Sequence, residues 1–465
     1  MELKGIKALV LGAGRSGIAS AGFLAARGAT VALHDKKEIE EWPDSAKALK
    51  VEKGVGLMTG QLPSWLLDQI ELVVISPGVP TNTIPTRYVD RKDGEVMGEV
   101  ELAYRFLRGN LVGITGSNGK TTTTTLVGEL LKEAGIKTQV GGNIGTPLLN
   151  LAESSSEDMW TVAELSSFQL ETIREFHPQV AVCLNVTPNH LDRYDSFTDY
   201  AAAKRRLFMN QTSDDIAILN ADNDITRSWK DGLKARVVLF SVKEELPNGL
   251  FLRGRQLISR DGDTEVVITD RDHIFLRGLH NVENVLASIA AGLACGASIE
   301  SMRETIATFR GVEHRIEFVE EIAGVRFYND SKATSVDATL KALEAFEDDG
   351  GKVILILGGL GKNAPYSPLV PLIEKKVRSL VLIGDDASNI ESQLGGASAS
   401  VRVDSMSEAV AAALASAEKG DVVLLAPACA SFDMFTSFEE RGRVFKAEVI
   451  HQRESRAKEA GLTAN

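Results

Sequence analysis

The chain has 465 residues, 44% hydrophobic and 25% charged. That is ample material for packed cores and too much for a single one, so roughly two to four domains are expected. A formal net charge of -13 argues against nucleic-acid or anionic-membrane partners, both of which need a basic face.

Three cysteines, Cys183, Cys295 and Cys429, lie far apart with no C-x-x-C spacing. Neither a disulfide framework nor a zinc site is indicated, and a reducing compartment fits. No charged-then-apolar leader opens the sequence, and no apolar run approaches the roughly 18 residues that cross a bilayer. A cytoplasmic protein without membrane insertion is expected, with a monomer as the default.

Short β-rich runs at 7–11, 30–34, 72–76, 111–115, 162–165, 180–185, 216–220, 353–357, 380–383 and 422–426 alternate with helical patterns. This alternation predicts parallel α/β sheets. Glycines follow the strands ending at Leu11, Thr115 and Leu357, which predicts three α/β units with boundaries near 95 and 311. The expected domains are therefore 1–95, 96–311 and 312–465. A linking helix is predicted over 96–107. Residues 243–272 turn to Gly, Arg, Asp and alternating Val/Ile and read as a hairpin insertion.

Gly12-Ala13-Gly14-Arg15-Ser16-Gly17 follows the first strand and opens a helix predicted over 16–27, and the next strand ends at Asp35. In such a turn the helix N-terminus takes a pyrophosphate and the acid a ribose hydroxyl. A nicotinamide dinucleotide and a UDP-linked substrate satisfy this geometry equally. A dehydrogenase, however, gives no reason for the second phosphate loop further along.

That loop, Gly116-Ser117-Asn118-Gly119-Lys120-Thr121, lies between an apolar strand and a helix. Its backbone N–H groups and the helix dipole cradle phosphate, Lys120 adds a point charge, and the Thr121 hydroxyl is a ligand type for Mg2+. A nucleoside triphosphate is the expected ligand, although Ile114 stands where the longer loop pattern has Gly. Glu164 ends an apolar strand and is the natural magnesium partner of Thr121. His190 stands with Asn189, Asp192 and Arg193 after another strand and reads as a second metal or substrate contact. Asn143, in a flexible glycine loop, is a further substrate candidate. Lys204 on its own reads as a solvated helix lysine.

Gly116 to Thr121, Gly141-Gly142-Asn143-Ile144-Gly145, Glu164-Leu165-Ser166-Ser167-Phe168-Gln169-Leu170-Glu171, Asn189-His190-Leu191-Asp192-Arg193-Tyr194, Asn329-Asp330-Ser331-Lys332-Ala333-Thr334 and Pro427-Ala428-Cys429-Ala430-Ser431 together resemble the Mur ligase family. The resemblance runs in order along nearly the whole chain. It implies a Rossmann-like UDP-binding domain, a central P-loop ATPase-like α/β domain and a C-terminal Rossmann-like α/β domain that closes over the site.

The activity so implied is ATP- and Mg2+-dependent amide formation between UDP-N-acetylmuramoyl-L-alanine and D-glutamate, through an acyl phosphate, in peptidoglycan precursor synthesis. Residue by residue, the resemblance assigns Gly14, Arg15, Ser16, Asp35, Lys36, Gly78, Asn143 and His190 to the UDP substrate. It assigns Gly116, Ser117, Asn118, Gly119, Lys120, Thr121, Thr122, Asn281, Asn284, Arg315 and Asp330 to ATP. Lys332, Thr334, Lys362, Ser431 and Phe438 fall to D-glutamate. Thr121, Glu164, His190 and a carbamylated Lys204 fall to the metal, with Lys120, Glu164, His190 and Lys204 as the catalytic group. The segment 329–334 lacks the paired histidines of relatives that add L-alanine. Arg15, Lys36 and Leu360 depart from the family pattern.

Overall fold

The computed structural model describes all residues except 81–82, 85–93, 189–192, 277, 347–350, 362–363 and 460–465. The chain forms two compact units, 1–273 with 280–307, and 274–279 with 308–465. Three sheets build them.

The first sheet comprises β1 (Lys7–Leu11), β2 (Thr30–Asp35), β3 (Gly56–Thr59), β4 (Leu72–Ile75) and β5 (Glu95–Gly98). All are parallel, in the order β3-β2-β1-β4-β5. β1 and β4 are almost wholly buried because helices cover both faces, which is why these strands read as continuous apolar runs instead of alternating ones.

The second sheet, in the same unit, contains β6 (Asn110–Thr115), β7 (Thr138–Gly142), β8 (Trp160–Glu164), β9 (Val180–Cys183), β10 (Ile216–Asn220), β11 (Arg236–Ser241), β12 (Gly249–Arg253), β13 (Gln256–Asp261) and β14 (Thr264–Asp270). Their order is β14-β13-β12-β11-β10-β9-β6-β8-β7. One apolar cluster runs from Leu3 and Phe23 through Leu102 to Leu111 and Trp229, so these two sheets share a core.

Two local expectations change. Over 96–107, Val96 and Met97 pair with Val73 and Val74 as strand β5, and the helix Glu99–Tyr104 starts only after Gly98. Burial against β4 outweighs the helical pattern there. The 243–272 insertion is a three-stranded antiparallel meander, β12-β13-β14, continuing the sheet through a parallel β11–β12 pair. Arg303, on helix Ile299–Thr308, donates from Nε to the Ile268 carbonyl (2.6 Å) and from Nη2 to the Val267 carbonyl (2.7 Å) on the outer strand β14.

The second unit holds β15 (Glu317–Ile322), β16 (Val325–Asn329), β17 (Val353–Gly358), β18 (Val377–Ile383), β19 (Ala399–Val403) and β20 (Val422–Leu425), in the order β15-β16-β20-β17-β18-β19. Only β15 runs antiparallel to its neighbour. Separate apolar clusters cover the two faces of this sheet, one around Leu355 and Leu380, the other around Ile356 and Phe445. The long helix Phe438–Glu459 packs over the second.

Candidate active site

β6 ends in the loop 116–119, and helix Lys120–Glu133 begins from Gly119, whose φ is 82°. A Cβ at Gly119 would collide with the side-chain oxygen of Asn284 on helix Leu279–Ala294, so the loop passes that helix at a distance only glycine permits. Asn284 is buried, donates to Asn281 Oδ1 at 3.0 Å, and thus brings both asparagines to the phosphate loop. Loop shape is fixed from outside as well. Asn118 N donates to Asn185 Oδ1 (2.9 Å), and Ser117 Oγ lies 3.0 Å from the Tyr200 hydroxyl. Thr121 and Thr122 are buried in the first helical turn.

Lys120 Nζ folds back to donate to the carbonyls of Gly116 (2.8 Å) and Ser117 (3.1 Å). Lys204 Nζ donates to the same Gly116 carbonyl at 2.9 Å and is only 1% exposed. The solvated reading of Lys204 is therefore wrong. Helix Phe197–Arg205 turns it inward together with Tyr200 one turn earlier, and the ammonium sits 4.7 Å over the Tyr200 ring. Burial, followed by the charge of Lys120, lowers the Lys204 amine to about 7. Tyr200 itself escaped the sequence reading, although its i, i+4 spacing from Lys204 was the available signal.

Glu164 closes β8 beside Ile114 of β6 and is 1% exposed. Its Oε1 accepts from Asn143 Nδ2 at 2.7 Å, while Oε2 is buried without a hydrogen-bond partner. A buried carboxylate oxygen lacking a donor suits a bound cation. Among the described residues no group of three or more His, Cys, Asp or Glu side chains gathers as a metal site. His190 lies outside the described residues.

A cavity of about 590 Å³ opens at the end of the first sheet and is lined by Gly14, Arg15, Ser16, Asp35, Lys36, Gly78 and Asn143, seven residues the sequence reading singled out. His34 and Gln169 line it too and had not been selected. His34 is buried with Nε2 2.9 Å from the Gly60 carbonyl oxygen, and Gln169 forms a capping box with Ser166. A single His near a strand end, or a Gln in a short helix, carries no sequence mark of such a position. Asp35 accepts from Ala13 N (2.8 Å) and Lys37 N (3.1 Å), so its carboxylate braces the glycine loop besides facing the cavity. Burial works to raise its pKa, and the backbone donors at Ala13, Lys37 and Lys36 more than offset this, leaving it lowered.

In the second unit, Arg315 lies between two residues with left-handed backbone, His314 (φ 65°) and Ile316 (φ 42°). A β-branched residue rarely adopts that conformation, and such strain gathers at functional positions. Asp330 is buried after β16; burial pushes its carboxyl up to about 7, against Arg315, the Ile316 N–H and Lys332. Lys332 N donates to the His314 carbonyl, Thr334 N to that of Lys332, and Lys332 Nζ lies 6.0 Å over the Phe438 ring. Ser431 is buried in the segment after β20. Arg315, Asp330, Lys332, Thr334, Ser431 and Phe438 thus belong to the second unit and Asn281 and Asn284 to the first. Lys362 lies outside the described residues.

Three family matches tile the chain: a Mur ligase MurD-like N-terminal domain at 6–98, a Mur ligase middle domain at 114–292, and a Mur ligase glutamate ligase domain at 314–429. The chain belongs to the Mur ligase family. Among Mur ligases it is 46% identical to the UDP-N-acetylmuramoylalanine-D-glutamate ligase of Koribacter versatilis, over 98% of this chain and 100% of the relative. It is 47% identical to the enzyme of the same name from Acidobacterium capsulatum, over 97% and 98%.

In fold it is similar to the UDP-N-acetylmuramate-alanine ligase MurC of Thermotoga maritima, with a TM-score of 0.55 and 20% identity over 97% of this chain and 99% of that one. A pseudomurein peptide ligase type C from Methanothermus fervidus gives 0.54 and 18% identity, over 96% and 99%. The architecture is thus one of three Mur ligase domains, N-terminal, middle and C-terminal, built on α/β sheets.

Proposed function

We propose that this chain is an ATP-dependent ligase that joins D-glutamate to UDP-N-acetylmuramoyl-L-alanine in peptidoglycan precursor synthesis. It works as a cytoplasmic monomer with domains at 1–95, 96–311 and 312–465. Among the described residues no helix is long and apolar enough to cross a membrane. The observation that carries the reading is the convergence of Lys120 and Lys204 on the Gly116 carbonyl, in a loop whose neighbouring strand ends in a buried carboxylate with an unpartnered oxygen. Such a site is built for phosphate and a cation, and the relatives' names supply the two substrates.

A carboxylate is a poor acylating agent until it is phosphorylated. In the proposed reaction the alanyl carboxylate oxygen attacks the γ-phosphorus of ATP, ADP leaves and an acyl phosphate forms. The D-glutamate amine then attacks the acyl carbon, the amide forms, and inorganic phosphate leaves with the former carboxylate oxygen. Lys120 and the loop N–H groups of 116–122 offset the charge that builds when two anions meet, the chief electrostatic obstacle.

Asn281, Asn284, Arg315 and Asp330 hold the nucleotide. Thr121, Glu164, His190 and a carbamylated Lys204 would hold Mg2+, which when bound neutralises phosphate charge. Burial of Lys204 favours the neutral amine, the form that takes up CO2. Gly14, Arg15, Ser16, Asp35, Lys36, Gly78, Asn143 and His190 hold the UDP substrate. Lys332 and Lys362 pair with the two carboxylates of D-glutamate, beside Thr334, Ser431 and Phe438.

The deciding experiment is phosphate release from MgATP with UDP-N-acetylmuramoyl-L-alanine and, in parallel, D-glutamate, L-glutamate, L-alanine or diaminopimelate. Release that requires both the UDP substrate and D-glutamate supports the reading. Release with another amino acid instead would overturn the named step.

A further inference from the structure

Arg441 sits in the first turn of helix Phe438–Glu459 and is 2% exposed. Its guanidinium is wrapped by oxygens from three separate segments. Nε donates to Ser331 Oγ (3.0 Å), and Nη2 to the carbonyls of Ser331 (2.9 Å) and Cys429 (3.1 Å). Nη1 donates to the carbonyls of Ala430 (3.2 Å) and Gly358 (3.4 Å). These segments leave β16, β20 and β17, three adjacent strands of the sheet. Each leads to a residue assigned above to D-glutamate: Ser331 precedes Lys332, Ala430 precedes Ser431, and Gly358 opens the run to Lys362.

Among the described residues no carboxylate forms an ion pair with Arg441. Burial lowers the guanidinium to about 10, against the influence of Cys429 and Asp433, so it stays charged at neutral pH. An unpaired buried cation costs stability. Four carbonyls and the Ser331 hydroxyl solvate this one, and they come from the three places where strand ends must be held in register. The fit is close on the loop side too, since a Cβ at Gly359 would meet the Ala430 carbonyl and come within 3.1 Å of Nη1. Only a planar fork with five donors meets this acceptor pattern; a lysine carries the charge on a single tetrahedral group with three.

We propose that Arg441 is a positioning residue for the amino-acid substrate: its guanidinium clamps the segments after β16, β17 and β20 so that Lys332 and Ser431 are presented together. The proposal rests on the assignment of those two residues to D-glutamate.

The test compares Arg441→Lys, which keeps the charge and loses the fork, with Ser331→Ala, a milder variant that removes one contact. In Arg441→Lys, amide hydrogen exchange is expected to accelerate together in 330–334, 358–361 and 428–432 and to stay unchanged in the first unit. The KM for D-glutamate is expected to rise about tenfold, with those for ATP and the UDP substrate within about twofold. Ser331→Ala is expected to shift both readouts in the same direction by less. Unchanged exchange in the three segments, or equal rises in all three KM values, would overturn the clamp. Absence of D-glutamate-dependent turnover in the unsubstituted protein would instead sink the substrate assignment, and exchange alone would then decide whether Arg441 holds the segments.

Discussion

Lys120 and Lys204 donate to one acceptor: both ammonium groups reach the Gly116 carbonyl oxygen, at 2.8 and 2.9 Å. The charge of Lys120 disfavours a second ammonium beside it and adds to burial in lowering the Lys204 amine, while Lys120 donates to the Ser117 carbonyl as well. Phosphate would relieve the repulsion, and so would conversion of Lys204 to a carbamate.

The first expectation concerns pH. The folded protein holds the Lys204 amine near 7, below its usual 10.5, because of burial and Lys120. Between these values the unfolded chain binds more protons, so this group makes stability rise with pH, by up to about 1.4 kcal/mol per pH unit. Denaturant melts of the metal-free protein in CO2-free buffer at pH 7 to 10 are expected to show that slope, and Lys204→Met to lose it. Parallel pH profiles for the two proteins would contradict the assignment.

Glu164→Gln removes a buried charge but keeps an oxygen for Asn143 to donate to. Thermal melts without metal are expected to be unchanged or slightly higher. Phosphate release is expected to fall by about a hundredfold or more, the scale of losing one electrostatic stabiliser. Activity within a few-fold of the parent would exclude Glu164 as a metal ligand.

Gly119→Ala places a side chain at φ 82° and against Asn284. A stability loss of about 1–2 kcal/mol is expected, along with loss of ATP binding by calorimetry, since the loop must move away from helix Leu279–Ala294. The UDP cavity lies elsewhere, so binding of the UDP substrate is expected to persist.

At Asp35, replacement by Asn leaves one side-chain oxygen for the two N–H groups of Ala13 and Lys37. The glycine loop is expected to slacken and the KM for the UDP substrate to rise about tenfold, with the KM for ATP unaffected. Equal changes in both would point to a general folding defect.

Much of this was legible in the sequence because strand ends and glycine turns are local signals. The loop at 116–121, the cavity residues Gly14 to Ser16 and the strand-end Glu164 all follow from an apolar run emptying into glycine or acid. Lys204 was misread because a lone lysine among alanines and arginines has no local mark of burial; what buries it is the packing of its helix beneath a loop 88 positions earlier. Arg441 carries no local mark for a similar reason, standing among Glu439, Glu440 and Arg443 in a charge-rich helix. Over 96–98 the local periodicity reads as helix, while the pairing with β4 that outweighs it is non-local and leaves no local mark.

The contact of Arg303 with β14 bears on how the molecule behaves among its own copies. The outermost strand of an open nine-stranded sheet presents carbonyls that can template pairing with another chain. Here two of them, at Val267 and Ile268, are consumed by a guanidinium from the same unit, beside a Val267 side chain that is 43% exposed. The meander thus lengthens the sheet and, at its own outer edge, withholds two carbonyls from pairing with another chain.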